Sequence, residues 1–383
     1  MKPIRILTPH IGLLGEISNY ESLFFVRSWH GIGEMELRIN RYKQYTETLQ
    51  KGNVIVVGTD LHKAYLIQHR EIELDENGKA TENWLIKALE LKSVVGKRIT
   101  LPPAHTAYDS KSGPAETVMR HYLTRNVVNP TDVRRKIDQV ILAADQGRGS
   151  HVIWQSRFKN LAEELADISL MTGLGWGMTV DYEHKRWVFT VREGRDLSVN
   201  QTVHSPVIFA PELDNIKNMH FVDSDLNYRN VAYVAGQGEG VARRVIEMGA
   251  AAGLERNELF VDARDVAEET EDETPVPRPE ADIIRDLTNR GDQKLAETAN
   301  ELFLEGQVLT QSQFRYEVDW DLGDIVTDQN KDWGVTMDAR ITEVKEIYEP
   351  GGYQIEATWG VSRPTLISKI KQELAGMRNE IVR

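Results

Sequence analysis

The side chains that could do chemistry in this sequence are histidines, carboxylates, hydroxyls and one glycine-rich loop. The ten histidines are scattered along the chain. His62 and His69 are near each other, but no third ligand accompanies them, and a zinc site needs three or four protein ligands. A His-Glu-x-x-His motif, which would place two ligands and a base on one helix, does not occur. The sequence therefore predicts no metal site made of histidine.

A calcium loop is imitated by Asp328, Asn330 and Asp332. Such a loop needs glycine at its sixth position for a sharp turn and a bidentate glutamate at its twelfth. Trp333 and Ala339 occupy these two positions. We reject calcium binding here, and no metal-ligating residue is predicted anywhere in the chain.

A glycine-rich loop, Gly236-Gln237-Gly238-Glu239-Gly240, follows a predicted strand, as a phosphate-binding loop would. It lacks the spacing of the dinucleotide fingerprint, and the carboxylate of Glu239 would repel a phosphate. A turn between two strands is the better interpretation. No cofactor-binding residue is predicted.

Nucleophilic catalysis has no candidate with the required pattern. The chain has no cysteine, and the segment Gly147-Arg148-Gly149-Ser150-His151 does not supply the Gly-x-Ser-x-Gly elbow. Carboxylates are plentiful, and a glycosidase needs only two. Most of them alternate with apolar residues in predicted strands, where they face water, as Glu317 and Asp319 do. We predict no catalytic residue and a protein that is not an enzyme.

The composition narrows the class of protein. The formal charge of −13 argues against a sequence-specific DNA-binding protein that neutralises phosphates, although an acidic wall past which DNA slides is compatible with it. The absence of cysteine fits assembly in a reducing cytoplasm. No apolar run is long enough to span a membrane, and the N-terminus lacks the apolar core of a signal peptide.

The elements that organise the chain are two stretches of alternating residues. Residues 314–322 alternate between apolar and charged types, which predicts a half-buried strand, and two further strands are predicted up to Trp359. An N-terminal segment repeats this pattern. The run Lys51-Gly52-Asn53-Val54-Ile55-Val56 resembles Leu322-Gly323-Asp324-Ile325-Val326, and the strands around Ile67 and Ile86 match those around Ile341 and Ile355. We favour a duplicated β-domain over chance similarity between two β-meanders.

The remaining segments predict an α+β, multidomain chain. Helices are predicted near 114–123, 156–171 and 283–303, and Trp176–Val180 and Trp187–Val191 are predicted to form a hairpin. The residues after Pro364 repeat apolar side chains with heptad spacing, which suits a helix packed beside its copies. An ordinary amphipathic helix docked on its own domain explains the same spacing.

Several segments resemble the siphovirus Gp37-like tail proteins, and the resemblance covers nearly the whole chain. They include the run from Phe25 to Leu37, the strand Gly52-Asn53-Val54-Ile55-Val56, the stretch from Trp154 to Arg195, and the strand that begins at Leu322. The resemblance implies a baseplate or tail-tip hub protein of a long-tailed phage or a prophage-derived particle. Related hubs are homotrimers in which each subunit carries two similar β-barrels.

The resemblance also sets the expected domains. They are a first β-barrel domain at 1–103, an α+β domain at 104–212, and a second β-barrel domain at 213–240 and 308–363. An α+β insertion with an acidic loop follows at 241–307 within the second barrel, and a heptad helix at 364–383 ends the chain. Because the sequence ends soon after that helix, we expect a separate protein to attach below rather than a fused lytic domain.

The implied function is structural. Three subunits would present six barrels to a sixfold tail tube and a threefold face to the tip, and DNA would leave through the lumen. The expected partners are two further copies of the chain, a distal tail or tail-tube protein above, and a tip, fibre or lysin protein below. The expected location is the tail tip of the virion, after assembly in the cytoplasm of the host bacterium.

Two other functions remain open. One is a cell-wall-degrading enzyme, which needs a pocket with two convergent carboxylates. The other is a glycan- or receptor-binding module, which needs an exposed aromatic platform. Five tryptophans could build such a platform, although their alternation with polar residues is more typical of a core: Trp176, Trp187, Trp320, Trp333 and Trp359.

Overall fold

A computed structural model describes residues 2–73, 82–264, 266–269 and 276–360. The predicted heptad helix at 364–383, the predicted turn at 75–78 and part of the acidic loop lie outside the described residues. The chain is a mixed α+β protein built mostly of strands, as predicted. No helix among the described residues is long and apolar enough to cross a membrane.

The first β-unit comprises seven strands. They are β1 (Ile4–Leu7), β2 (Leu13–Ile17), β3 (Ser22–Ser28), β4 (Glu34–Asn40), β5 (Val54–Val57), β6 (Ala64–Glu71) and β7 (Asn83–Glu90). Alternate residues of β3 and β4, such as Phe25, Met35 and Leu37, fill its core. The predicted strand pair around Gly31 and Gly33 is therefore present.

The middle unit follows. It contains β8 (Asp109–Pro114), α1 (Ala115–Leu123), β9 (Val140–Leu142), β10 (His151–Ser156), α2 (Leu161–Thr172), β11 (Gly175–Asp181) and β12 (Arg186–Arg192). The predicted hairpin is confirmed, with Val180 paired to Trp187. Helix α2 begins later than predicted because the side chain of Asn160 accepts hydrogen bonds from the amides of Ala162 and Glu163, which fixes the N-cap.

The second β-unit is divided in sequence. Its strands are β13 (Ile208–Phe209), β14 (Ile216–Ser224), β18 (Glu301–Val308), β19 (Ile325–Asn330), β20 (Val335–Glu349) and β21 (Gly352–Gly360). The insertion between β14 and β18 has its own core and contains β15 (Val231–Ala235), β16 (Val245–Met248), β17 (Glu258–Asp262) and α3 (Glu280–Glu297).

The strand at 231–235 was predicted to belong to the second β-domain, and the structure corrects this assignment. It is the central strand of the three-stranded sheet of the insertion, and α3 covers it through Leu287. Because Val231, Ala232, Val234 and Ala235 are all buried, the strand needs neighbours on both sides and a cover. The place expected for it in the second β-unit is filled by β14.

Two further boundaries differ from the prediction. The helix predicted to reach Phe303 ends at Glu297, because residues from Glu301 onward are held in a strand by ladders to β14 and β21. Residues 314–322 do not form a strand. The carboxylate of Asp319 accepts a hydrogen bond of 2.7 Å from the amide of Arg315, and Glu317 has φ 62°, so the segment closes into a tight loop.

The two β-units join into one sheet of thirteen strands, and their strand orders match. The order β5-β6-β7-β4-β3 in the first unit corresponds to β19-β20-β21-β18-β14 in the second. Strand β3 pairs antiparallel with β20 and so connects the two units. Among the described residues no ladder closes either unit into a separate barrel.

Candidate functional site

The first feature of the site is a repeated turn at the start of β5 and β19. The amide of Gly52 donates to the carbonyl of Ile67 at 2.9 Å, and the amide of Gly323 donates to the carbonyl of Ile341 at 2.8 Å. Both glycines have positive φ, 91° and 97°. A residue with a Cβ is strained there, which explains why both sequence runs have glycine at their second position.

The second repeated feature is a β-bulge. The register of β6 against β7 shifts between Ile67 and His69, and the register of β20 against β21 shifts between Ile341 and Glu343. Each bulge directly follows the isoleucine that accepts the glycine hydrogen bond. A bulge bends the strand that contains it, so β6 and β20 change direction at equivalent positions.

The two units meet along β3 and β20, and buried ion pairs cross this junction. The ammonium nitrogen of Lys63 lies 2.6 Å from a carboxylate oxygen of Glu346 and 3.0 Å from Glu317. The guanidinium of Arg27 lies 2.9 Å from Asp321 and donates to the hydroxyl of Tyr316 at 2.7 Å. In each pair the cation comes from the first β-unit and its partner from the second, so the pairs fix how the units are placed.

The electrostatics of this cluster favour the ionised form of Glu317. Burial alone would raise the pKa of Glu317, but a hydrogen bond from His62 and the charges of Lys63 and Arg27 lower it to about 2. Glu317 therefore carries its charge at neutral pH, where it attracts Lys63 and Arg27. A buried network of this kind is better evidence for a specific arrangement than for stability.

Trp29 connects the junction to the middle unit. Its indole N–H donates to the carbonyl of Gly173 at 3.0 Å, and its ring lies against the backbone of Gly175 and Gly323. A Cβ at Gly323 would lie 2.1 Å from the ring. Arg340 stacks over the ring at 5.7 Å from its centroid. Trp29 thus contacts the repeated turn of the second unit directly.

A polar face runs across the shared sheet, on the side away from the cores of the two β-units. It is formed by the alternate residues of β3, β4, β7, β18, β20 and β21 that do not enter those cores. Half-buried apolar side chains, such as Phe24 and Val26 of β3, lie among the charged ones. Acidic side chains outnumber basic ones on this polar face: Glu34, Glu36, Glu305, Glu343 and Glu356 against Arg38, Lys87 and Lys345.

Glu343 is the most perturbed group on the polar face. Burial, together with the nearby carboxylates of Glu90, Glu305 and Glu34, raises its pKa to about 7. It lines an open groove of about 350 Å³ that also contains Glu305 and Glu356. A carboxyl group with this pKa can act as an acid or a base near neutral pH.

The structure separates the residues that the sequence offered as ligands. His62 contacts Glu317 at 3.1 Å, whereas His69 contacts Glu71 at 3.0 Å. Asp328 is buried in β19, where burial and the charge of Asp338 raise its pKa well above the ordinary value. In the described ranges no group of three or more histidine, aspartate and glutamate side chains is arranged to hold a metal ion.

The aromatic and glycine-rich candidates are also dispersed. Trp176, Trp187, Trp320 and Trp359 are buried, and Trp333 is half exposed. The four buried tryptophans therefore belong to the cores, and they do not form a common platform with Trp333. The loop at 236–240 lies at the end of β15, where Arg243 donates to the carbonyl of Gly236 at 2.7 Å.

The charged residues of the junction were missed at the sequence level. Their positions among the alternating apolar residues of β3 and β20 could have indicated that they are buried. Arg27 follows Leu23 and Phe25 on the core-facing side of β3, and Glu346 lies between Val344 and Tyr348 on the core-facing side of β20. A charged residue on a core-facing side must find a partner.

Comparison with known families settles the relationship. The model of the siphovirus ReqiPepy6 Gp37-like protein family matches residues 3–361. The chain belongs to the siphovirus Gp37-like family. The resemblance seen in the sequence is thereby confirmed. A comparison with curated proteins gave no match.

Solved structures show the same fold. The 43 kDa tail protein of prophage MuSo2 from Shewanella oneidensis superposes with a TM-score of 0.55 at 13% identity, covering 93% of this chain and 98% of that one. The tail protein from Neisseria meningitidis MC58 superposes with a TM-score of 0.52 at 12% identity, covering 94% and 97%. The Gp37-like chain therefore has the fold of phage and prophage tail proteins.

Proposed function

We propose that this protein is a structural hub of a phage or prophage-derived tail tip or baseplate. Three copies form a ring that adapts the sixfold tail tube to a threefold tip and lines the channel through which DNA leaves. The observation that carries the proposal is the repeated turn, in which Gly52 and Gly323 make the same hydrogen bond at the same place in two units of equal strand order.

The symmetry follows from this repeat. A chain with two equivalent β-units presents two equivalent surfaces, so three chains present six. The remaining parts of each chain, the middle unit and the insertion, occur once and keep the ring threefold. We assign the two β-units to two β-barrel domains of the assembled ring. The first ends near the predicted boundary at residue 103, the second begins with β13, a few residues before the predicted boundary at 213, and the insertion lies between β14 and β18.

The polar face is the proposed wall of the channel. Its excess of glutamate repels the phosphates of DNA, so the DNA slides without being held. The proposal requires no base-specific contact. The tube or distal tail protein would bind above the ring and a tip, fibre or lysin protein below it, in a particle assembled in the host cytoplasm.

Electron microscopy of the purified protein tests the ring. Averaged top views are expected to show three repeating subunits, an inner rim close to sixfold and an open centre. Views without a central channel, or with a rotational order other than three, contradict the proposal. A chain truncated after residue 363 then tests whether the predicted heptad helix contributes to assembly.

The groove beside Glu343 favours one alternative, a cell-wall-degrading enzyme. Glu343 and Glu305 both lie opposite Thr358, on strands that are two apart. Two strand spacings are about 10 Å, near the upper end of the separation that an inverting glycosidase uses. Release of soluble fragments from purified peptidoglycan, lost in Glu343→Gln, would support this alternative. No release by the wild-type protein would reject it.

A further inference from the structure

Several strand edges of the β-units have no ladder partner in the part of the chain that the structure describes, among them edges of β2, β13, β14 and the end of β6. Strand β14 pairs with β18 on one side only and ends the large sheet. On one side, strand β6 pairs with β7 up to Glu71. On the other side it pairs with β5 only before the bulge, so the part of this edge after the bulge is free in the described structure. Free strand edges are ready surfaces for pairing with another chain.

The β14 edge repeats the sequence of β3, the strand that joins the two units. Phe221-Val222-Asp223-Ser224 matches Phe25-Val26-Arg27-Ser28 at three of four positions. The matching phenylalanines also have matching neighbours, since Phe25 pairs with Met35 on β4 and Phe221 pairs with Leu304 on β18. Strand β14 is thus the counterpart of β3.

The free edge of β6 in the first unit corresponds to the edge of β20 in the second unit with which β3 pairs. Counted from the two bulges, residues 69–73 correspond to residues 343–347. Within the chain, Phe25 pairs with Glu346 and Val26 pairs with Lys345. The corresponding positions on β6 are Ile72 and Glu71.

We propose that β14 of one copy pairs antiparallel with residues 69–73 of the next copy, in the register that sets Phe221 opposite Ile72 and Val222 opposite Glu71. The contact repeats between chains the β3–β20 contact that exists within each chain. It rests on the proposed ring and names the strands that close it.

Most of the side chains brought together by this register are complementary. Phe221 and Ile72 are half-buried apolar residues, and pairing covers both. Asp223 comes opposite Arg70, whose Nε is buried and has no hydrogen-bond partner in the described structure. The next pair sets His220 opposite Glu73. Three of the four pairs therefore join apolar with apolar or acid with base, and Val222 opposite Glu71 is the exception.

The contact is heterologous, because β14 of one copy meets β6 of another. Such contacts form a closed ring when the rotation between subunits completes a circle, and an open filament when it does not. The rotation here is set by the β3–β20 junction within each chain. If that rotation is close to one sixth of a turn, three chains close.

Engineered cysteines test the register against a background without native cysteine. The backbone amide of Trp29 donates to the carbonyl of Thr342 at 2.8 Å, so these two residues form a hydrogen-bonded pair. Because hydrogen-bonded and non-hydrogen-bonded pairs alternate along an antiparallel ladder, Val26 and Lys345 form a non-hydrogen-bonded pair, the kind whose side chains lie closest. Val26→Cys with Lys345→Cys is the matched control and is expected to form a bridge within one chain. Val222→Cys with Glu71→Cys is the test variant, in the full-length protein under mild oxidation.

The expected result is a bridge between chains in the test variant. On a denaturing gel without reductant it gives bands of two and three chains, with no larger species because the ring is closed. The misregistered variant Val222→Cys with Arg70→Cys is expected to give far less product, because adjacent residues face opposite sides of a strand.

Absence of an interchain bridge in the test variant, while the control bridge forms, overturns the proposed pairing. The mass of the wild-type protein then separates two failures. A trimer without the bridge keeps the ring and rejects this pair of edges, whereas a stable dimer rejects both. A ladder that continues beyond three chains overturns ring closure.

Discussion

The ammonium group of Lys63 lies 2.6 Å from the carboxylate of Glu346, and each side chain is only 1% exposed. Lys63 immediately precedes β6 of the first β-unit, and Glu346 lies in β20 of the second. One ion pair therefore spans the two β-units at a place where water cannot screen it. This contact adds to the β3–β20 ladder, which also connects the two units.

Removing one partner of this pair should be costly. Lys63→Met is expected to lower the free energy of unfolding by about 3–5 kcal/mol, because the carboxylate of Glu346 stays buried without its counter-ion. Glu346→Gln should cost less, because Lys63 keeps the carboxylate of Glu317 at 3.0 Å. The double variant Lys63→Met with Glu346→Leu should cost less than the sum of the single changes. Urea unfolding followed by tryptophan fluorescence measures all three.

The control for this cycle is the exposed pair of Lys345 and Glu356, at 3.1 Å on the polar face. Lys345→Met and Glu356→Gln should each change stability by about 1 kcal/mol or less. Equal losses in the exposed and buried pairs would show that burial is not the source of the effect.

The equivalent glycines allow a matched comparison. Gly52→Ala meets no atom within 4 Å, so its cost is the positive φ alone, about 1–2 kcal/mol. Gly323→Ala has the same strain and also places its Cβ against the ring of Trp29. We expect it to cost at least about 2 kcal/mol more, measured as a difference in unfolding free energy.

A smaller cost at Gly323 than at Gly52 would contradict the packing described for Trp29. The double variant Gly323→Ala with Trp29→Leu tests the same contact from the other side. It should lose less than the two single variants together, since the leucine leaves room for the methyl group.

Glu343 gives the protein a pH dependence of known direction. The pKa of Glu343 in the folded state is raised to about 7 from 4.5. The neutral form therefore contributes to the free energy of unfolding in full below about pH 4.5, and this contribution is lost as the pH rises through 7. Glu343→Gln should remove this loss, which amounts to at most about 3 kcal/mol. Urea unfolding between pH 5 and 8 measures it.

The predicted difference between wild type and Glu343→Gln is therefore small at pH 5 and largest at pH 8. Glu356→Gln is the control on the same face and should change stability by about 1 kcal/mol or less throughout. A difference that is constant with pH would show that Glu343 is not the titrating group.

The sequence was sufficient for the elements that obey local rules. The alternation in 34–39 and 176–191 predicted strands because one face of each meets a core, and the glycines at 52 and 323 marked turns because only glycine tolerates the backbone there. The resemblance to the Gp37-like family rested on the same segments. These features are set by residues close together in the chain.

The parts that the sequence did not predict depend on distant contacts. Residues 314–322 have the alternation of a strand, but a hydrogen bond from Arg315 to Asp319 closes them into a loop. Leu302 and Phe303 continue the helical spacing of apolar residues that precedes them, but pairing with two other strands holds them in an extended conformation. The charged junction was invisible because Lys63 and Glu346 are 283 positions apart and only the fold brings them together.

The mass of the protein in solution tests the central claim most directly. Light scattering across a dilution series is expected to give three times the chain mass of 43.6 kDa, with dissociation only at low concentration. A stable dimer at every concentration would contradict the account, because two chains supply four β-units and cannot match a sixfold tube.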